Sequence, residues 1–198
     1  MPQRRHDSRA GERTPIVLAL MAHPDDIEIT CAGTLILLQR AGWAVHLATM
    51  TAGDLGSMRH SRAAISRIRR REAARSAAVI GASYSCLGFD DLTIACDANA
   101  KRRVAGLLRD VRPDLLVTHP PADYMADHEE TSRIAREAAF GSTIPNWRAS
   151  HGRGRRPSPP CDALPAILYA DPIDLTDRLG RRVPAHVLVD VTAVIGVK

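Results

Sequence analysis

Ile16-Val17-Leu18-Ala19-Leu20-Met21-Ala22 runs without a polar side chain into His23-Pro24-Asp25-Asp26. An uninterrupted apolar run of strand length fits a strand buried on both faces, as in a parallel sheet. Behind it, Ile27-Glu28-Ile29-Thr30-Cys31-Ala32-Gly33-Thr34-Leu35 reads as the beginning of a helix. The polar tetrapeptide therefore falls at the mouth of a sheet rather than in its core. A strand end that delivers one imidazole and two carboxylates to a helix start is suited to chemistry.

Working outward, apolar runs of strand length alternate with helix-length stretches. Residues 27–40 read as a helix with Ile27, Cys31, Thr34, Leu35 and Leu38 on one face and Gly42 as its stop. Residues 43–49 follow as a strand, 60–80 as an Arg- and Ala-rich helix ending at Gly81, and 84–87 as a short strand. Residues 97–110 read as a helix, 114–118 as a strand introduced by Pro113, 127–139 as a helix, and 166–170 and 187–191 as later strands. This alternation predicts an α/β fold with a mostly parallel central sheet covered on both faces.

The chain has 198 residues, 45% of them hydrophobic, enough for one globular domain with its own core. We expect residues 1–14 to form a disordered basic tail and 15–198 a single domain. Residues 146–165, rich in Gly, Pro and Arg and without periodicity, are expected to be a flexible loop, either a flap over a site or disordered. No apolar stretch approaches the roughly 20 residues of a membrane span, so no membrane association is expected. Cys31, Cys86, Cys96 and Cys161 are scattered with no Cys-x-x-Cys pair, which argues against a disulfide framework or a thiolate zinc site. A cytoplasmic location is the default. The net charge of +5 comes almost wholly from arginine, since Lys101 and Lys198 are the only lysines.

A second polar cluster, Asp123-Tyr124-Met125-Ala126-Asp127-His128, follows the strand at 114–118. In open parallel sheets, ligands bind beyond the carboxyl ends of the strands, where strand order reverses. In the common order 3-2-1-4-5, strands one and four meet at that point, and right-handed crossovers put their ends on the same side. His23, Asp25, Asp26, Asp127 and His128 are thereby expected in one crevice. Two imidazoles and a carboxylate suit a divalent metal with positions left open for water or substrate. His23 and Asp26 lie three apart across the turn, leaving Asp25 beside the metal, where a helix start and a cation favour its ionised form. For either cluster alone the plainer alternative is that Asp25 or Asp26 caps the helix and His23 is an ordinary loop residue.

Ala22-His23-Pro24-Asp25-Asp26-Ile27-Glu28, with Cys31 to Leu35 behind it, resembles the signature of the LmbE-like, or PIG-L, N-acetylglucosaminyl deacetylases. The resemblance continues through Thr51 to Gly56, Arg69 to Glu72, Leu87 to Asp91, Asp114 to Thr118 and Asp127-His128. It implies a Rossmann-like three-layer α/β/α fold and a zinc-dependent hydrolase of a non-peptide carbon–nitrogen bond, removing acetyl groups from amino sugars or sugar conjugates. It also implies His23, Asp26 and His128 as zinc ligands and Asp25 as the general base for the attacking water. Another divalent metal, such as ferrous iron, also suits such a set. Arg69 and Asp91 match positions that hold substrate, as does Asp54, which stands where many members carry Glu. Met125 occupies a position where several members have a His, and Asp190-Val191-Thr192 resembles a segment that precedes a further His-x-Ser-Gln stretch in the family.

Other residues carry less. His119 could orient a metal ligand or bond backbone in a loop, and His46 reads as a packed strand residue. Arg62, Arg67, Arg69, Arg70, Arg71 and Arg75 read as a solvated helix face, because no aromatics that would stack bases are interleaved. The expected partner is a small amino-sugar substrate rather than nucleic acid, and self-association into a homo-oligomer stays open. Two alternatives to amide hydrolysis are a non-heme iron enzyme on the same two-His-one-Asp set and a non-catalytic binding protein lacking the C-terminal part of the site. The iron oxygenases usually use His-x-Asp on a β-barrel, whereas the spacing here is His-x-x-Asp on a strand–helix pattern.

Overall fold

Five parallel strands form one sheet in the order β3-β2-β1-β4-β5. The computed structural model describes residues 13–150, 152 and 156–198, so residues 1–12 of the expected tail, and 151 and 153–155 of the expected loop, lie outside the described residues. Strand β1 (Ile16–Met21) is central, flanked by β2 (Ala44–Thr51) and β4 (Leu115–Thr118), with β3 (Ser83–Phe89) and β5 (Ala166–Tyr169) at the edges. The register sets Leu18 opposite His46 on one side and Leu116 on the other.

Successive side chains of β1 feed opposite faces, which is why the whole run had to be apolar. Leu18 and Leu20 enter a core with helices α4 (Ala98–Val111) and α5 (Ala126–Ser142), through residues such as Val104, Leu108 and Ile134. Val17, Ala19 and Met21 enter a second core with Ile27, Leu35 and Ala77, supplied by α1 (Asp26–Thr30), α2 (Ala32–Arg40) and α3 (Arg62–Val79). The result is a three-layer α/β/α fold of Rossmann-like type. Among the described residues no helix is long and apolar enough to cross a membrane.

Two expectations are corrected. The helix expected over 27–40 is two helices, because Cys31 leaves helical geometry at φ −134°, ψ 0°. The hydrogen-bond ladder nonetheless passes through it, from Cys31 N to Ile27 O at 3.0 Å and from Leu35 N to Cys31 O at 3.1 Å. Residues 187–191 form no strand: no strand among the described residues pairs with them, and Val187 and Leu188 stay 65% and 88% exposed. Alternating apolar residues become a strand only where a sheet face can bury them. Val191 packs on α2 instead, so closely that a Cβ on Gly33 would lie 2.6 Å from its Cγ1.

The described part of 146–165 is anchored on α4 and α5. Cys161 N donates to Ser142 O at 3.0 Å, and the Arg112 guanidinium, at the end of α4, donates to Pro160 O at 2.9 Å. Arg156, Ser158 and Pro159 line a groove with His46 and Arg109, toward the amino-terminal end of the sheet and away from His23. Trp147 lies flat against Gly141, where an added Cβ would sit 2.3 Å from its ring. Gly141→Ala is therefore expected to destabilise the fold by about 1–3 kcal/mol through overpacking, read as a lower denaturation midpoint at unchanged m-value.

Candidate metal centre

The carboxyl end of β1 sets the site. Beyond Met21 and Ala22 the chain turns, and Asp25, at φ 103°, occupies the left-handed region before α1 begins. Neither carboxylate caps that helix, since Asp25 makes no side-chain cap bond and Asp26 reaches back to accept the His23 N–H at 2.7 Å. The capping alternative thus fails, and Asp26 is turned inward, buried, toward the imidazoles.

His23, Asp26 and His128 offer one ligand atom each, all within 4.8 Å of one another. The topology supplies this convergence, because β1 and β4 are neighbours and α5 begins just after β4. His23 Nε2 lies 3.0 Å from Asp127 Oδ2, and its Nδ1 lies 3.5 Å from Asp26 Oδ2. His128 Nδ1 lies 3.0 Å from Asp123 Oδ1, and its Nε2 lies 3.5 Å from Asp26 Oδ1. Each ring therefore has a carboxylate behind it and its other nitrogen turned on Asp26. A donating N–H toward the rear carboxylate leaves a lone pair in front, the arrangement that orients histidines at metal centres. The donor set fits a divalent ion that accepts nitrogen and oxygen ligands.

Protonation follows the same layout. Burial pulls the His23 imidazolium down, but the hydrogen bonds and charges of Asp26 and Asp127 outweigh it and raise the group to about 9. Burial opposes ionisation of Asp26 too, yet His119 and His23 hold it well below the usual carboxylate range. His119 is held below the ordinary histidine range by burial, against the pull of Asp26. Asp25 is raised by partial desolvation, with the Arg69 guanidinium opposing.

His119 and Asp123 were not among the expected site residues, and Asp127 was placed in the crevice without a role. His119, 2% exposed, accepts the Ala22 N–H on Nε2 at 3.0 Å, lies 3.2 Å from Asp26 Oδ2, and stacks on His128 with ring centroids 3.8 Å apart. Its position at the end of β4 was a signal, but a backbone-bonded loop histidine gives the same one. Asp123 Oδ1 also accepts the Met125 N–H at 3.0 Å, while its Oδ2 is buried without a hydrogen-bond partner among the described residues. His119, Asp123 and His128 form a second group of potential ligands that shares His128 with the first.

A cavity of about 530 Å³ opens beside the centre, with His23, Asp25, Arg69, Glu72 and Asp91 on its polar side. Arg69 donates to Asp25 Oδ2 at 2.6 Å, Pro24 O at 2.5 Å and Glu72 Oε2 at 2.8 Å. Asp91 Oδ2 accepts the Leu55 N–H at 2.9 Å, and its Oδ1 is buried without a hydrogen-bond partner among the described residues. Asp54 is placed behind this wall, where its oxygens accept the Asp91 N–H at 2.9 Å and the Arg62 guanidinium. The arginine-rich face of α3 is thus partly folded back, with Arg62 and Arg69 committed to carboxylates.

A sequence profile of the GlcNAc-PI de-N-acetylase (PIG-L) family matches residues 18–139. A curated relative, the 4-oxalmesaconate hydratase of Pseudomonas putida, is 28% identical over 141 residues, covering 66% of this chain. The chain spans only 55% of that relative's length. Among solved structures, the 4-carboxy-2-hydroxymuconate hydratase GalB of Pseudomonas putida superposes with a TM-score of 0.77 over 93% of this chain and 75% of its own. At 22% identity it shows the fold alone. The N,N'-diacetylchitobiose deacetylase of Pyrococcus horikoshii superposes with a TM-score of 0.75 at 25% identity, over 91% of this chain and 66% of its own.

Proposed function

The chain belongs to the GlcNAc-PI de-N-acetylase (PIG-L) family, and from that premise we propose that it hydrolyses the N-acyl amide of an amino sugar or sugar conjugate with a bound zinc ion. One observation carries the reading: two imidazoles, each backed by a buried carboxylate, turn their front nitrogens on Asp26 beside an open cavity. His23, Asp26 and His128 would hold the metal. When bound, the ion supplies Lewis-acid polarisation of the amide carbonyl and a lowered pKa for water.

This chain's own residues do the rest. Asp25 stands at the cavity wall outside the ligand set, and its raised pKa makes it a stronger base than an ordinary carboxylate. Arg69 fixes that carboxylate and keeps it ionised, while Glu72 and Pro24 O hold the guanidinium in turn. As the C–N bond breaks, the proton taken from water is available on Asp25 for the departing nitrogen, giving a carboxylic acid and an amine. Arg69 and Asp91 face the cavity and serve substrate hydroxyls, whereas Asp54 braces the Asp91 loop.

A second reading, addition of water to a carbon–carbon double bond, is favoured by the hydratase relative. That relative is named for a substrate bearing carboxylate. Here the polar side of the cavity carries Asp25, Glu72 and Asp91, with the Arg69 guanidinium already paired to Asp25 and Glu72. Incubating the metal-loaded protein with N-acetylated amino sugars, and separately with unsaturated dicarboxylates, decides between them. Free amine and acetate that disappear with chelator support the proposal, and hydration without amide cleavage replaces it.

Metal binding should release protons. In the metal-free protein His23 carries a proton below about 9, so binding at pH 7.5 must displace it. Affinity is expected to rise about tenfold per pH unit until pH passes about 9, then level off. The sign for folding runs the other way. A raised pKa makes the His23 contribution to metal-free stability complete below its unfolded value and lost as pH rises through about 9. Calorimetric titration in buffers of different ionisation enthalpy should count about one proton released per ion at pH 7.5.

A further inference from the structure

One side of the cavity is apolar and plays no part in the hydrolysis. Leu55, Ile65, Ile68, Leu92 and Met125 line it. Leu55 and Leu92 remain 46% and 66% exposed there, outside either core. Leu92 is held in an unfavourable backbone conformation to do so. Its φ of 62° lies in the left-handed region that bulky residues seldom adopt, a kind of strain that gathers at ligand sites.

The bond that fixes Leu92 ties it to the metal centre. Its N–H donates to Asp127 Oδ2 at 2.8 Å, the oxygen that lies 3.0 Å from His23 Nε2. One buried carboxylate thus contacts a ligand imidazole and fixes the backbone of an apolar residue that lines the cavity. Met125 also lines the cavity, and its neighbour Tyr124 meets the His128 ring edge-on with centroids 5.3 Å apart. The polar groups that would meet sugar hydroxyls, Arg69, Glu72 and Asp91, belong to the other side of the lining. A small polar sugar would leave this apolar wall in water. The volume of about 530 Å³ is within the ~300–1,000 Å³ of sites that enclose a drug-sized ligand.

We propose that Leu92, with Leu55 and Met125, forms a subsite for an apolar substituent, alkyl or aryl, carried by the N-acylated substrate. This rests on the amide-hydrolysis reading above. The substituent can sit on the acyl carbon chain or on the glycosidic oxygen, and the subsite chemistry is the same for both.

The test is amine release by the zinc-loaded chain from a matched set. N-acetylglucosamine is the reference, N-hexanoyl- and N-benzoylglucosamine form the acyl arm, and octyl and phenyl glycosides of N-acetylglucosamine form the aglycone arm. At least one arm is expected to exceed the reference in kcat/KM by about tenfold or more. Leu92→Asn keeps the backbone N–H and tolerates the left-handed backbone, so it should retain metal while that ratio falls toward one. Leu55→Ala, on a separate loop, should lower the ratio in the same way should Leu92→Asn fail to fold. Equal or lower kcat/KM for every apolar substrate, or a ratio untouched by both variants, overturns the subsite and leaves amide hydrolysis standing. No amine from any substrate removes both.

Discussion

Asp25→Asn is expected to lower kcat for amide hydrolysis by about 10²–10⁴-fold while metal content and fold stay as in the parent. The substitution is a clean one at this position. Asp25 sits at φ 103°, and Asn is among the few residues that enter positive φ readily. The amide oxygen can still accept the Arg69 guanidinium that now lies 2.6 Å from the carboxylate. Since Asp25 is not in the converging group of His23, Asp26 and His128, only the proton acceptor is lost. Steady-state kinetics beside elemental analysis checks this, and full turnover in Asp25→Asn would show that another group takes the proton.

Removal of a ligand has the opposite signature. His128→Ala is expected to abolish stoichiometric metal binding, with activity lost as a consequence. The imidazole is 2% exposed, and its Nε2 is the nitrogen facing Asp26 Oδ1. Asp123→Asn should cost less, about 10–100-fold in metal affinity, because it weakens only the acceptor behind His128 Nδ1. The ordering, with His128→Ala worse than Asp123→Asn and both worse than Asp25→Asn in metal retention, is read by competition with a chromogenic chelator. An Asp123→Asn loss as deep as that of His128→Ala would promote Asp123 from orienting group to ligand.

The parts of the site that depend on topology could be read from the chain. Strand-length apolar runs alternating with helices pointed to a parallel sheet, and the common order 3-2-1-4-5 assumed for such sheets is the one observed; it brings residues 23–26 and 127–128 together across about a hundred positions. What stayed hidden depends on where side chains point. Nothing in the spacing shows that Asp127 reaches His23 while Asp123 reaches His128, since both carboxylates belong to the same short cluster. Asp54 matched a substrate-binding position, yet its oxygens are taken by Arg62 and the Asp91 N–H, partners that exist only once α3 and β3 are in place. Residues 187–191 have a strand's composition and no sheet to join, and Trp147 sits in a loop-like stretch but packs against the glycine of a helix. Patterns report periodicity and burial; they do not report which of two nearby acids a ring will choose.

The central claim is that a divalent ion sits between His23, Asp26 and His128, and anomalous diffraction at the zinc edge from metal-loaded crystals tests it most directly. The account predicts a single strong peak bonded by His23 Nδ1, a carboxylate oxygen of Asp26 and His128 Nε2, with Asp25 beside it and unbonded. A peak among His119, Asp123 and His128, the other converging group, would contradict it, as would zinc-soaked crystals with no peak at either place.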